Sequence, residues 1–246
     1  MAVSCQKNKP EAEEVPEQTI ALGAYILNNG NYASNDASIS FYDYNTSSLV
    51  TGVFQSANGK KLGDLAQDML IYGDKMYIGV YNSKVVFVTD KKGKIVKELK
   101  FSGESGNLSP REFTAHSGKV YVSLYEGYVA QIDTTDFSTK MVTVGDNPEG
   151  MAVSNEKLFV ANSGGMNYPV YGKTVSVVDL KGGALDVIAT LDVVDNPTDF
   201  VVGPAGELFL ISMGKYADVI NTLQEINKST YEIKKVTDMV LLALKK

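Results

Sequence analysis

The residues that carry much of enzyme chemistry are scarce in this chain. Among 246 residues there is one Cys, one His and no Trp. Arg also occurs once, as Arg111, against many Lys. A single Cys excludes an internal disulfide. One His and one Cys cannot furnish a structural zinc site. No Ser-His-Asp set can be drawn around His116, which falls in "TAHSGK" and reads as a solvated turn residue. Long apolar runs are missing too. The longest late one, "MVLLAL" from Met239, is far short of the ~20 residues a membrane helix needs. Positive charge is in deficit. The net charge is −6 and the pI about 4.9, so the surface repels phosphate backbones and nucleic acid is excluded as a partner.

What is present is a repeat. The chain is 44% hydrophobic and 21% charged, an ordinary globular composition. From residue 20 it breaks into short strand-like runs separated by Gly, Asn, Asp and Ser. One type reads "GAYIL", "KMYIGV", "KVYVSL", "KLFVAN" and "ELFLIS", centred on Tyr25, Tyr77, Tyr121, Phe159 and Phe209. A second type follows each and ends in Asp43, Asp90, Asp133, Asp179 or Asn227. A third closes each unit: "LVTGVF", "IVKELKF", "KMVTV", "DVIATLDV" and "YEIKKV". Before the aromatic run comes a recurring phrase: "GDLAQDM", "GNLSPREF", "GDNPEGM", "VDNPTDF". Four strands per unit at a period of roughly 40–50 residues are the mark of a β-propeller. The expectation is therefore an all-β chain of four-stranded blades, with five repeats over about 19–60, 61–103, 104–144, 145–193 and 194–238. Pro fixes φ and withholds a donor, which suits a turn leading into an innermost strand. The first unit lacks an innermost strand. Residues 239–246, "MVLLALKK" from Met239 onward, are read as a closing strand or an atypical tail.

The single Cys opens a further reading. "AVSC" resembles the end of a bacterial lipoprotein box, with cleavage before Cys5 and lipid on its thiol. The charged start and long apolar region of a signal peptide are missing. Residues 1–18 are expected to be a signal remnant and a disordered tether rich in Glu, Lys and Pro. Acidic residues just after the Cys resemble a surface-export signal of Bacteroidota lipoproteins. The alternative is a stray N-terminal Cys.

"ILNNGNYASNDASISFYD", "SANGKKLGDLAQDMLIYGDKMYIGVYNS" and "LSPREF", in that order, resemble a Bacteroidota family of surface lipoproteins. It carries a domain of unknown function and is similar to YncE-like, YVTN-repeat, surface-layer-protein-like propellers. The resemblance runs from about residue 20 to about 235. It implies a lipid-anchored binding protein of the outer membrane or cell surface, with a periplasmic-facing alternative. It also implies a TonB-dependent receptor as partner, and a small polar or corrinoid-type ligand. No cofactor is implied. Members resemble seven-bladed rings, so five units suggest truncation after about residue 238.

Blade connectivity gathers the second-to-third-strand loops and the lead-ins to innermost strands on one face. That face is rich in Tyr, Asn, Asp and Gly. Tyr offers rigid area with a polar tip, and Asn both donates and accepts. The candidate binding set is Asn31, Tyr32, Asp64, Gln67, Tyr81, Asn82, Arg111, Tyr125, Asn147, Glu149, Asn162, Met166, Asn167, Tyr168 and Tyr171. For any single Asn or Gly, a turn role is the competing explanation. A lone guanidinium such as Arg111 suits a carboxylate, phosphate or amide; the competing role is pairing with Glu112 or Asp146. No catalytic residue is assigned. The second functional reading is a propeller-type enzyme, a lactonase or lyase, with a divalent ion ringed by Asp64, Asp146, Asp195 and Glu149. "GVFQSANGKK" imitates a phosphate loop with the wrong glycine spacing. "NNGNYASNDAS" is rich in calcium-type ligands without calcium-loop spacing.

Overall fold

The computed structural model describes residues 22–104, 106–215 and 218–238. Cys5, the tether and the segment 239–246 lie outside the described residues. The first sheet has three strands, β1 (Gly23–Asn28), β2 (Ser38–Asp43) and β3 (Ser48–Val50), followed by helix α1 (Val53–Asn58). The second sheet is β4 (Ala66–Tyr72), β5 (Lys75–Val80), β6 (Val85–Asp90) and β7 (Ile95–Leu99). A small hairpin, β8 (Ser102–Gly103) and β9 (Gly106–Asn107), precedes the third. That sheet is β10 (Pro110–His116), β11 (Lys119–Leu124), β12 (Tyr128–Asp133) and β13 (Thr139–Thr143). The fourth is β14 (Pro148–Ser154), β15 (Lys157–Asn162), β16 (Thr174–Asp179) and β17 (Asp186–Asp192). The fifth is β18 (Pro197–Val202), β19 (Leu208–Ser212), β20 (Thr222–Ile226) and β21 (Ile233–Asp238).

Each four-stranded sheet is an antiparallel meander in sequence order. The strands β4, β10, β14 and β18 pack side by side in chain order, so the sheets stand as successive blades. Among the described residues the first sheet has no strand inside β1, as its sequence unit implies. Burial follows radial position. The second strands β5, β11 and β15 are buried from their second residue onward, whereas β7 and β13 are largely exposed. A blade sandwiched on both faces buries both sets of alternating side chains, which explains the near-continuous apolar runs.

A separate core fills each junction between consecutive blades. Ile39, Phe54, Met76, Ile78 and Phe87 fill the first junction. Tyr77, Val88, Leu108, Val120 and Val122 fill the second. Tyr121, Val129, Leu158, Val160 and Val178 fill the third. Phe159, Val175, Val177, Leu208 and Leu210 fill the fourth. Fully burying one such side chain is worth about 1.5–3 kcal/mol.

The polar residue ending each second-type run has a shared role. Asp43, Asp90, Asp133, Asp179 and Asn227 each accept, through Oδ1, from a backbone N–H two residues on. This side-chain turn stops one strand and starts the hairpin to the next.

The expected strand "LVTGVF" is corrected. Only Ser48–Val50 pairs, and Val53 onward turns into α1. Gly52 takes φ 65, which ends the strand, and Phe54 is then buried against Phe87, with ring centroids 5.0 Å apart. The segment that imitates a phosphate loop is this short helix, closed by Gly59. Among the described residues the hairpin β8–β9 has no counterpart in the other units.

Candidate functional site

The recurring phrase supplies the site. Asn147 and Asn196 hold φ of 46 and 57, a left-handed conformation that Asn tolerates better than most residues. Their carbonyls accept from Ser163 and Met213 in the long loop of the same blade. The carbonyls of Asp146 and Asp195 accept from Gly164 and Gly214. Asp64 and Leu65 repeat the pattern toward Asn82 and Tyr81. The phrase therefore ties each lead-in to the second-to-third-strand loop on the same face, and this sorts the loops as the connectivity implies.

The next residues turn inward. The pairing register of β4, β10, β14 and β18 shifts just after their first residue, and such a bulge re-aims side chains. At the second position stand Gln67, Arg111, Glu149 and Thr198. Arg111 Nε donates to Glu149 Oε2 at 2.7 Å, and its Nη2 lies 2.5 Å from the same oxygen. Its Nη1 donates to Gln67 Oε1 at 2.5 Å. The guanidinium carbon sits 5.0 Å from the centre of the Tyr125 ring, and Tyr81 meets Tyr125 edge-on at 5.7 Å. One guanidinium thus bridges three blades. Its acidic partner is Glu149, not Glu112 or Asp146. Glu149 is 6% exposed, so this is a nearly buried charge held by its counter-ion. Burial, then the Glu149 carboxylate, pushes the Tyr125 hydroxyl up to about 12.

At the third position lie Asp68 and Asp199, absent from the expected site, and Glu112, expected only as a partner for Arg111. Aligning "AQD", "PRE", "PEG" and "PTD" column by column exposes them. Burial, reinforced by Asp199, Glu149 and Asp68 and opposed by Arg111, raises Glu112 to about 7. Burial also raises Asp68, against hydrogen bonds from the Phe113 and Met69 N–H groups.

The other expected residues divide. Tyr32, Met166 and Tyr168 are at least 70% exposed on loops of this face. The Tyr168 and Tyr171 rings meet edge-on at 6.1 Å. Their loop closes at Gly164, φ 55, where an added Cβ would lie 2.3 Å from Gly172 N. Asn147 binds the loops to one another: its Nδ2 donates to the Tyr125 carbonyl and its Oδ1 accepts from Met166 N–H. Asn167 donates to Asp146 at 3.4 Å. Asp64 accepts from Ala33 N–H and from Asn82 Nδ2. Asn31 serves its own loop, donating twice to Asp36 within the calcium-like stretch and lowering that carboxyl. Asn162 is corrected. It is 1% exposed inside its blade, donates to Thr174 and Ser176 and accepts from Gly145, so it is a packing residue with no open face. Asp64, Asp146, Asp195 and Glu149 do not form a ring. Among the described residues no three His, Cys, Asp or Glu side chains group in a metal-holding arrangement, and Glu149 is already engaged by Arg111.

Residues 22–240 match a family described as a domain of unknown function, DUF5074. The chain belongs to that family. No curated protein matches it. Among solved structures it is similar to the dihydro-heme d1 dehydrogenase NirN in complex with DHE, with TM-score 0.62 and 13% identity over 86% of this chain and 47% of that one. It is also similar to the β-propeller domain of Cps50 (Swd1) from Myceliophteria thermophila, with TM-score 0.60 and 11% identity over 83% of this chain and 65% of that one. The WD40 propeller of Doa1 follows, with TM-score 0.53 and 12% identity over 76% of this chain and 57% of that one. This member of the DUF5074 family spans about half the length of NirN. These likenesses establish the propeller fold, and propellers host both enzymes and binding domains.

Proposed function

We propose that this protein is a non-catalytic binding propeller of the cell surface, whose ligand or partner docks on the disc face around Arg111. The observation that carries this reading is the meeting of one clamped guanidinium and two edge-on tyrosines, Tyr81 and Tyr125, on the same face as the exposed Met166 and Tyr168. Rigid aromatic area beside a fixed planar donor suits a large, polar, partly aromatic ligand, of which a corrinoid is one kind, or a protein loop. The likeness of the N-terminus to a lipoprotein box adds Cys5 as a lipid anchor in the outer membrane. The family resemblance adds a TonB-dependent receptor as the partner.

The test is a thermal melt with and without corrinoids, haem and glycans, paired with surface plasmon resonance against a TonB-dependent receptor. A ligand of the native state raises the melting temperature by mass action. Tyr168→Ala, at an exposed loop tip, should abolish that rise while leaving the unliganded melt in place. If no compound and no receptor binds, or if Tyr168→Ala binds as the wild type does, the reading fails.

A second reading, a propeller-type enzyme, rests on Glu112. A carboxyl raised to about 7 beside Asp68, Glu149 and Asp199 has the pKa of a general acid or base. Metal analysis with a lactone-hydrolysis assay separates the two. Turnover that is lost in Glu112→Gln would favour the enzyme.

A further inference from the structure

The opposite face of the disc holds a recess of about 170 Å³ between the third and fourth blades. Its origin lies in the repeat. In the third and fifth blades the residue four places after the strand-ending Asp or Asn is aromatic, Phe137 or Tyr231, with φ of 60 and 64. Each aromatic packs into the junction with the preceding blade. Phe137 joins the core that contains Tyr77, and Tyr231 meets Phe159 at 6.4 Å. The fourth blade has Gly183 at this position, with φ 83 and nothing within 4 Å of where its Cβ would stand. The plug is missing, and the recess occupies its place.

Polar groups with unused capacity line it. Gln131 is 5% exposed and Tyr121 2%. Gln131 Nε2 donates to the Tyr121 hydroxyl at 3.3 Å, and this is the only side-chain hydrogen bond of either residue among the described residues. The amide oxygen, the second amide proton and the phenolic proton remain for a guest. Polar groups this buried are seldom left with so much capacity in folded proteins. His116 borders the recess with Lys119, Glu156 and Leu180. Lys119 is paired with Asp133, and Glu156 supplies the opposite charge at the rim, so the lining favours neither a cation nor an anion.

We propose that this recess binds a small polyhydroxylated molecule of single-sugar size. Carboxamide, phenol and imidazole each donate and accept, as hydroxyl groups do. At ~30 Å³ per water, the volume equals roughly six waters, which is room for one sugar ring. His116 and Arg111 stand at opposite ends of β10, about 17 Å apart at 3.4 Å per residue. The recess is therefore separate from the face around Arg111, and neither reading depends on the other.

His116 is the only histidine in the chain, so its imidazole resonances report on this recess alone. The experiment is an NMR titration of those resonances with glucose, galactose, mannose and N-acetylglucosamine, using glycerol as the small-polyol control. At least one sugar should shift them saturably. Gly183→Tyr puts an aromatic at a positive φ of 83, near the 64 and 60 that Tyr231 and Phe137 hold, so it should restore the plug, keep the thermal melt and abolish the shift. Gln131→Leu should weaken binding by about tenfold, the loss of one buried hydrogen-bonding partner. The proposal is overturned if no sugar moves the His116 signals, or if the shift survives both substitutions. Should Gly183→Tyr fail to fold, Gln131→Leu decides alone.

Discussion

Arg111 is the residue on which the candidate face turns, and its pairing decides how it should be probed. Arg111→Ala would leave Glu149 buried without a counter-ion and Gln67 without its donor. Breaking a buried pair from one side costs on the order of 3 kcal/mol. A lower urea midpoint is expected, measurable by fluorescence or circular dichroism. The double change Arg111→Met with Glu149→Gln, which removes both charges, should recover much of the loss. Glu112 gives a pH prediction. Its folded pKa is raised from 4.5 to about 7, so the folded chain holds a proton that the unfolded chain has released. The stability that Glu112 contributes is then greatest below about 4.5 and is lost as pH rises through about 7. Thermal melts from pH 4.5 to 8 should show that decline, and Glu112→Gln should flatten it relative to wild type. Little of this was legible residue by residue. The uniqueness of Arg111 is visible in composition, but its partner sits 38 residues away in another blade. Only the shared offset within the recurring phrase links the two.

At the scale of the element, strands and turns were legible and their exceptions were not. The strand-ending Asp and Asn residues recur because each blade needs the same side-chain turn, and that need is local in sequence. Helix α1 departs from the repeat because a single Gly52 with φ 65 stops β3, after which Phe54 finds the Phe87 ring. Neither cause shows in a pattern of apolar runs. Phe54→Ala should lower stability by about 3–5 kcal/mol. Hydrogen exchange should show the loss first in α1 and β2, because Phe54 belongs to the core shared by the first two blades.

For the whole molecule, period and apolar density identified a propeller because a blade is one supersecondary unit repeated. The offset that marks Gly183 is readable in sequence, but that an aromatic at this offset fills a blade junction shows only in the packing of Phe137 and Tyr231. Burial implies a radial order of protection. Amides of β5, β11 and β15, in strands buried almost throughout, should exchange most slowly. Those of the outer strands β7 and β13 should exchange fastest within their sheets. Uniform protection across a blade would contradict this account.

Because each junction between blades keeps its own core, the energetics are close to one-dimensional, with each blade sensing its immediate neighbours. In such a chain, damage at one junction is shielded from the next. Arg111 breaks that shielding, since a single side chain on the third blade grips Gln67 of the second and Glu149 of the fourth. It acts as a next-nearest-neighbour coupling in an otherwise nearest-neighbour system. Whatever occupies the face around it has a direct mechanical route to three blades at once.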